Sequence, residues 1–171
     1  MSNFDNMPYS SRQIANFFIK SSQNTGDELT PMKLIKLCYI AHGWNLALYN
    51  EALLDEAIQA WQYGPVIQSI YRDFKHYGNS QITELVKVGD EYPLPNPAAF
   101  PLLNKIWDVY KKYDGVQLSA MTHQPETPWD ITWNDMGGKQ LRAAIIPNNL
   151  IQQHYLQKIQ RTPNEQQPAR N

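Results

Sequence analysis

The sequence predicts a mainly α domain, α+β with a small β element, packed around one central buried helix. Three observations carry that expectation. Residues 31–49 are apolar over most of a helical circumference. Several other segments place apolar residues at helical spacing behind recognisable start signals. Only short pieces, near Val86–Val88 and Ile145–Pro147, suit an extended backbone. Hydrophobic residues make up 42% of the 171 and charged residues 18%, enough apolar surface for one core and too little charge for global disorder.

Taken in order, Ser10 and Gln13 form a plausible capping box, and Ile14, Phe17 and Phe18 recur at helical spacing. A first helix is expected over about residues 11–20, followed by a polar loop to Glu28. Thr30 and Pro31 are a cap and a first-turn proline. The helix after them should reach Tyr49, with Leu34, Leu37, Ala41, Trp44 and Leu48 as one stripe and Ile35, Tyr39 and Leu46 as a second. Only a strip near Lys33, Lys36 and Gly43 reads as polar or small. Residues 50–63 look less helical. Gly64-Pro65 is a punctuation mark, and a helix is expected from Pro65 to His76, stopped at Tyr77-Gly78-Asn79.

Val86 and Val88 beside Gly89-Asp90 suit a short hairpin, and Pro93, Pro95, Pro97 and Pro101 mark an extended connection. Leu102, Leu103, Ile106, Trp107 and Tyr110 resume the helical pattern, with Asp114-Gly115 as its stop. Short helices are expected from Leu118 toward Gln124 and from Pro128, the latter carrying Trp129 and Trp133. Asn148 or Asn149 should cap a last helix with Leu150, Ile151, His154, Tyr155 and Ile159. The organisation expected is a lead at residues 1–9, a domain at 10–160 and a disordered polar tail at 161–171.

Composition also bounds function. The formal charge is −1, which gives no broad electrostatic reason to bind nucleic acid or an anionic membrane. One cysteine, Cys38, makes no intrachain disulfide. The N-terminus carries no signal pattern, and the longest apolar stretch falls short of a membrane span, so a cytoplasmic location is expected. The sharpest catalytic pattern is Cys38 with His42, one helical turn away. Cys38 lies beside the apolar stripe, however, and a small buried hydrophobe is the better reading. His42, His76, His123 and His154 are scattered and suggest no metal site. His123 suits a backbone hydrogen bond near a helix end. Asp55-Glu56 and Asp90-Glu91 read as solvated surface, as do Lys33-Lys36 and Lys111-Lys112. No phosphate-cradling glycine loop occurs. Neither catalytic residues nor a cofactor are expected.

What stands out is Trp61-Gln62-Tyr63-Gly64-Pro65-Val66. Physical reasoning favours the core for Trp61 and leaves Tyr63 open between core and interface, because large aromatics serve both. This block follows Lys33-Leu34-Ile35-Lys36-Leu37-Cys38-Tyr39 and Gly43-Trp44. It precedes Tyr71, Leu118-Ser119, Thr122-His123 and Pro128-Trp129. In combination these residues resemble the Panacea antitoxin domain family, which includes SocA-type and GepA-type phage-associated proteins. The resemblance runs over roughly residues 10–155.

The resemblance implies an antitoxin that neutralises a separately encoded toxin by complex formation. Family members stand beside very different toxins, and some SocA-type members deliver a toxin to a protease. Three partner classes follow: a cognate toxin, a protease in an adaptor role, and the chain's own promoter DNA, contacted through Lys33 and Lys36. Trp61, Tyr63, Gly64, Pro65, Tyr71, His123 and Trp129 are the signature or partner-binding candidates. Oligomeric state is left open.

Overall fold

The structure is a computed structural model and describes residues 8–161. Residues 1–7 and 162–171 lie outside it, and with them most of the expected lead and tail. The described residues form seven α-helices and one small sheet. The centre is α2 (Pro31–Tyr49), against which α1 (Ser11–Thr25), α4 (Phe100–Tyr110), α5 (Gly115–Thr122) and α7 (Asn148–Arg161) all pack.

The start of α2 is as expected: Thr30 accepts from the Lys33 amide, and Pro31 opens the helix. Its end is a left-handed Asn50. Leu34, Leu37, Cys38, Ala41, His42 and Trp44 are fully enclosed. Gly43 lets α7 approach, because a Cβ there would lie 2.1 Å from the Tyr155 ring. Tyr155 stacks edge-on against Trp44 at 5.2 Å, and the Trp44 indole donates to the Tyr110 hydroxyl at 3.2 Å. Truncating Trp44 at this seam would cost about 3–5 kcal/mol.

The capping box of α1 forms between Ser10 and Gln13. The helix continues through Ser21–Thr25, where a loop was expected, until Gly26 takes a left-handed conformation at φ 80°. Ser22 explains the extension: its hydroxyl is buried and donates to the Asp27 carbonyl. Asn16, also buried, accepts from the Val86 amide and donates to the carbonyls of Val86 and Pro93. With Gln13 donating to the Leu94 carbonyl and Gln23 to the Thr83 carbonyl, it fastens the irregular segment 82–94 to α1. Within the segment, Val88 and Glu91 exchange backbone hydrogen bonds around Gly89-Asp90, so the expected hairpin is a single bridge.

The sheet is three-stranded and antiparallel, in the order β2-β1-β3, from β1 (Ile58–Trp61), β2 (Gly64–Val66) and β3 (Ala144–Ile146). Trp61 pairs with Gly64, so Gln62 and Tyr63 form a two-residue turn. Gly64-Pro65 therefore belongs to a strand, and α3 starts three residues later than expected, at Gln68 (Gln68–Phe74). Pro65 is tolerated because β2 is an edge strand with no outer neighbour to receive an amide. No side chain within α3 caps it. Glu56 does so from outside, accepting from the Ser69 amide and from the hydroxyls of Ser11 and Ser69.

Other boundaries shift for similar local reasons. Pro97 opens a 3-10 turn and Pro101 sits in the first turn of α4, so the prolines start helix here instead of only extending the chain. Asp114 is the N-cap of α5, with Gln117 completing a capping box; the helix begins at Gly115, ahead of Leu118. The α6 turn (Pro128–Asp130) is capped by Thr127 and runs into a π-turn at Ile131–Asp135. In α7, Asn148 is the first helical residue, and its side-chain oxygen meets His42. Among the described residues, no helix is long and apolar enough to cross a membrane.

Candidate functional site

The β1-β2 hairpin carries the Trp61–Val66 block, and its backbone is gripped by three separate elements. The Trp61 carbonyl accepts from the Trp129 indole at 2.6 Å. The Tyr63 carbonyl accepts from the Ser119 hydroxyl at 2.7 Å. The Pro65 carbonyl accepts from the Lys36 ammonium at 2.7 Å. The donors come from α6, α5 and α2, and the acceptors alternate along the hairpin. Each bond is worth about 0.5–1.5 kcal/mol net, and somewhat more where the donor is charged.

Gly64 is needed twice in this arrangement. Its φ is +112°, and a Cβ there would lie 2.9 Å from the Lys36 nitrogen. Gln62 and Tyr63 are not among the described residues of positive φ, so this turn is not the mirror-image type that two-residue hairpins prefer. Gly64 absorbs the mismatch. Pro65 and Val66 are buried behind it.

The side chains of the apex are free while its backbone is held. Tyr63 is 64% exposed and Gln62 is exposed beside it. Trp61 is half-buried, which corrects the core expectation: its ring packs edge-on against Tyr71 at 4.9 Å, and its indole donates to Gln59 at 2.9 Å. Tyr71 is 39% exposed. Trp129 is buried, stacked on Trp133 at 5.6 Å and met edge-on by His123 at 5.3 Å. His123 ends α5 and contacts the Ser119 carbonyl through Nδ1. The candidates thus divide. Gly64, Pro65 and Trp129 shape and hold the hairpin and His123 lies against two of its grips, Ser119 and Trp129, whereas Tyr63, Tyr71 and one edge of Trp61 face outward.

Between the hairpin, the start of α2 and α3 lies a groove of about 440 Å³. Met32, Ile35, Lys36, Trp61, Tyr63 and Tyr71 contribute to its walls, with Lys75 at the rim. The walls are mainly apolar. Lys36 is 2% exposed and its amine is pushed down to about 7, because burial penalises the charged form.

The two helix lysines overturn their reading as solvated surface. Lys33 is 3% exposed, donates to the Lys111 carbonyl at 2.5 Å and lies 5.5 Å from the Trp107 ring centroid. Neither lysine is placed to meet DNA phosphate. The sequence put both lysines on the one polar strip of α2, and that strip is itself covered, by the Lys111 carbonyl after α4 and by the β1-β2 hairpin. Ser119 and Lys36 are the two grips that residue-by-residue reasoning missed.

The other chemical patterns resolve locally. Cys38 is fully buried, and burial followed by the Glu56 charge raises its thiol well above the ordinary value. His42 accepts from the Leu54 amide at Nδ1 and pairs with Asn148 through Nε2, so both ring nitrogens are engaged away from the thiol. Burial lowers its pKa, with the Asn148 hydrogen bond opposing. Among the described residues, no three His, Cys, Asp or Glu side chains cluster as a metal site would require.

Residues 34–130 match the family described as Antitoxin SocA-like, Panacea domain. That span contains the hairpin and all three of its grips. The chain is also 25% identical over 134 residues to Antitoxin SocA of Caulobacter vibrioides (strain NA1000 / CB15N), covering 74% of this chain and 71% of that protein. No solved structure matches. More than half of the chain falls within the family's domain, including every residue that grips the hairpin, and the chain therefore belongs to the SocA-like Panacea antitoxin-domain family.

Proposed function

We propose that this chain is an antitoxin that neutralises a cognate toxin by binding it directly, with the β1-β2 hairpin and its groove as the contact surface. One observation carries the reading: three buried donors immobilise the hairpin backbone while Tyr63 and Tyr71 stay in solvent. Exposed aromatics on a rigid backbone lose little conformational entropy on binding and are typical binding hot spots. Family membership supplies the partner class.

Co-expression with the product of the adjacent gene, scored for growth and for co-purification, tests the proposal. Rescued growth with a stable complex is the expected result. Persistent growth arrest without a complex would overturn it. Rescue without a complex would favour the adaptor role, for which residues 162–171 are the obvious tether; they lie outside the described residues. The DNA-binding role has lost Lys33 and Lys36 as its phosphate contacts.

A further inference from the structure

Away from the hairpin, His154, Lys158 and Arg161 fall on one face of α7, at i, i+4 and i+7. They line a pocket of about 240 Å³ between α7 and the loop that joins α5 to α6. Lys158 is half-buried, with its amine 5.4 Å from the Tyr155 ring centroid, and burial lowers its pKa. His154 is held at about 4, first by burial and then by the charges of Lys158 and Arg161, so at pH 7 it is neutral and offers one N–H. Glu126 is the one carboxylate on the lining. The described ion pairs, Arg12–Asp73 and Lys111–Asp108, lie elsewhere, so no carboxylate among the described residues pairs with these cations.

Met121, Thr127, His154 and Lys158 also line an adjoining inner recess of about 20 Å³, the space of a single water molecule. Tyr39, Tyr110 and Tyr155 line it too. All three are buried, and burial raises each phenol above its ordinary value, so each keeps its O–H. Tyr110 accepts from Trp44; among the described residues, none of the three hydroxyls has an acceptor for its own proton. Buried donors ordinarily find acceptors. The helix dipole accounts for cations in a last turn, but not for burying one of them beside protonated phenols that lack an acceptor.

We propose that this pocket binds a small ligand bearing a phosphate group, whose oxygens meet Arg161 at the mouth and Lys158 and His154 where the recess opens. The chemistry selects the ligand. A lysine and an arginine together offer more N–H donors than one carboxylate can receive, whereas a phosphate presents oxygens in more directions. The volume falls below the roughly 300–1,000 Å³ of sites for larger ligands and suits a phosphate with the first atoms of its ester. A pocket confined to one helix end does not extend along a nucleic-acid strand. It shares no lining residue with the groove beside the hairpin, so the site stands apart from the antitoxin reading.

The test titrates the full chain, in phosphate-free buffer, with inorganic phosphate and with glycerol 3-phosphate, by calorimetry and by the NMR shifts of the His154 ring. Saturable binding of at least one, with His154 moving most among the four histidines, is the expected result. Tighter binding of the ester identifies an ester ligand, and the reverse identifies free phosphate. Arg161→Gln, at an exposed position, and Lys158→Met, which keeps the stem over the Tyr155 ring, should each weaken binding by about 10-fold or more. Glu126→Gln removes the opposing charge and should tighten it by up to about fivefold. Should Lys158→Met not fold, Arg161→Gln decides alone. Wild-type affinity in the folded variants, or binding that leaves His154 in place, would overturn the site. So would the lack of saturation by about 10 mM phosphate. Acetate bound as tightly as phosphate would overturn the ligand class. Glu165 follows Arg161 closely in the sequence and lies outside the described residues. Phosphate binding that appears only in Glu165→Gln would make the pocket a seat for the chain's own carboxylate and overturn the proposal as well.

Discussion

The indole of Trp129 donates to the backbone carbonyl of Trp61 at 2.6 Å, across 68 residues of sequence. Two tryptophans of the family pattern are therefore joined through one ring and one main chain. Replacing Trp129 with Phe keeps most of the ring and removes the donor. Stability should fall by about 1–2 kcal/mol in urea denaturation, and amide exchange should quicken around Gln62–Gly64. Unchanged exchange at the apex would show that the bond does not hold the hairpin.

Gly43 and Tyr155 set the spacing of α2 and α7, and there is no room for a methyl group between them. Gly43→Ala should destabilise at or above the upper end of the roughly 1–3 kcal/mol typical of overpacking. A compensating Tyr155→Leu should recover part of that loss, and a double-mutant cycle measures the coupling.

Lys36 gives stability a pH dependence of predictable sign. Burial lowers its pKa from the ordinary 10.5 to about 7. Between those values the unfolded chain holds a proton that the folded chain has released, so stability rises with pH. The slope is up to about 1.4 kcal/mol per pH unit. Below pH 7 both states are protonated, and the cost of the buried charge is fully present. Lys75, Tyr63 and Tyr71 share the groove, and Lys33 and Lys158 are lowered by burial as well, so the difference between proteins is the readout. Denaturation at pH 7, 8 and 9 should show a steeper rise for wild type than for Lys36→Met. Parallel curves would mean that Lys36 stays charged.

Cys38 should be silent toward a water-soluble thiol reagent in the native protein and react fully in denaturant, since its side chain is enclosed and its thiol is held protonated by burial. Rapid native labelling would place it on an accessible face. Cys38→Ser should fold less stably without losing neutralisation, through the cost of a buried hydroxyl.

Much of this architecture was legible in the sequence because local signals and burial agreed. Thr30-Pro31 placed the start of α2, and apolar residues around its circumference placed it at the centre. The β1-β2 hairpin was not legible. Its turn, Gln62-Tyr63, has neither of the residues that mirror-image turns favour, and Gly64-Pro65 imitates a helix start. Asp114-Gly115 was ambiguous because an aspartate that ends one segment equally caps the next. At the site, the aromatic block advertised itself, yet its grips did not. Hydrogen bonds from Ser119, Trp129 and Lys36 to main-chain carbonyls span 29 to 68 residues and leave no periodic trace.

The alternating grips on the hairpin also divide one short stretch of chain into two vocabularies. Around Trp61, Gly64 and Pro65, substitution disturbs a backbone on which three other elements depend. At Gln62 and Tyr63 it alters only what is displayed, since both side chains are exposed, whereas Trp61 packs on Tyr71, Gly64 has no room for a Cβ and Pro65 is buried. If the apex is the toxin-contacting surface proposed above, a lineage meeting a new toxin is free to rewrite its two letters while the scaffold beneath stays as it was.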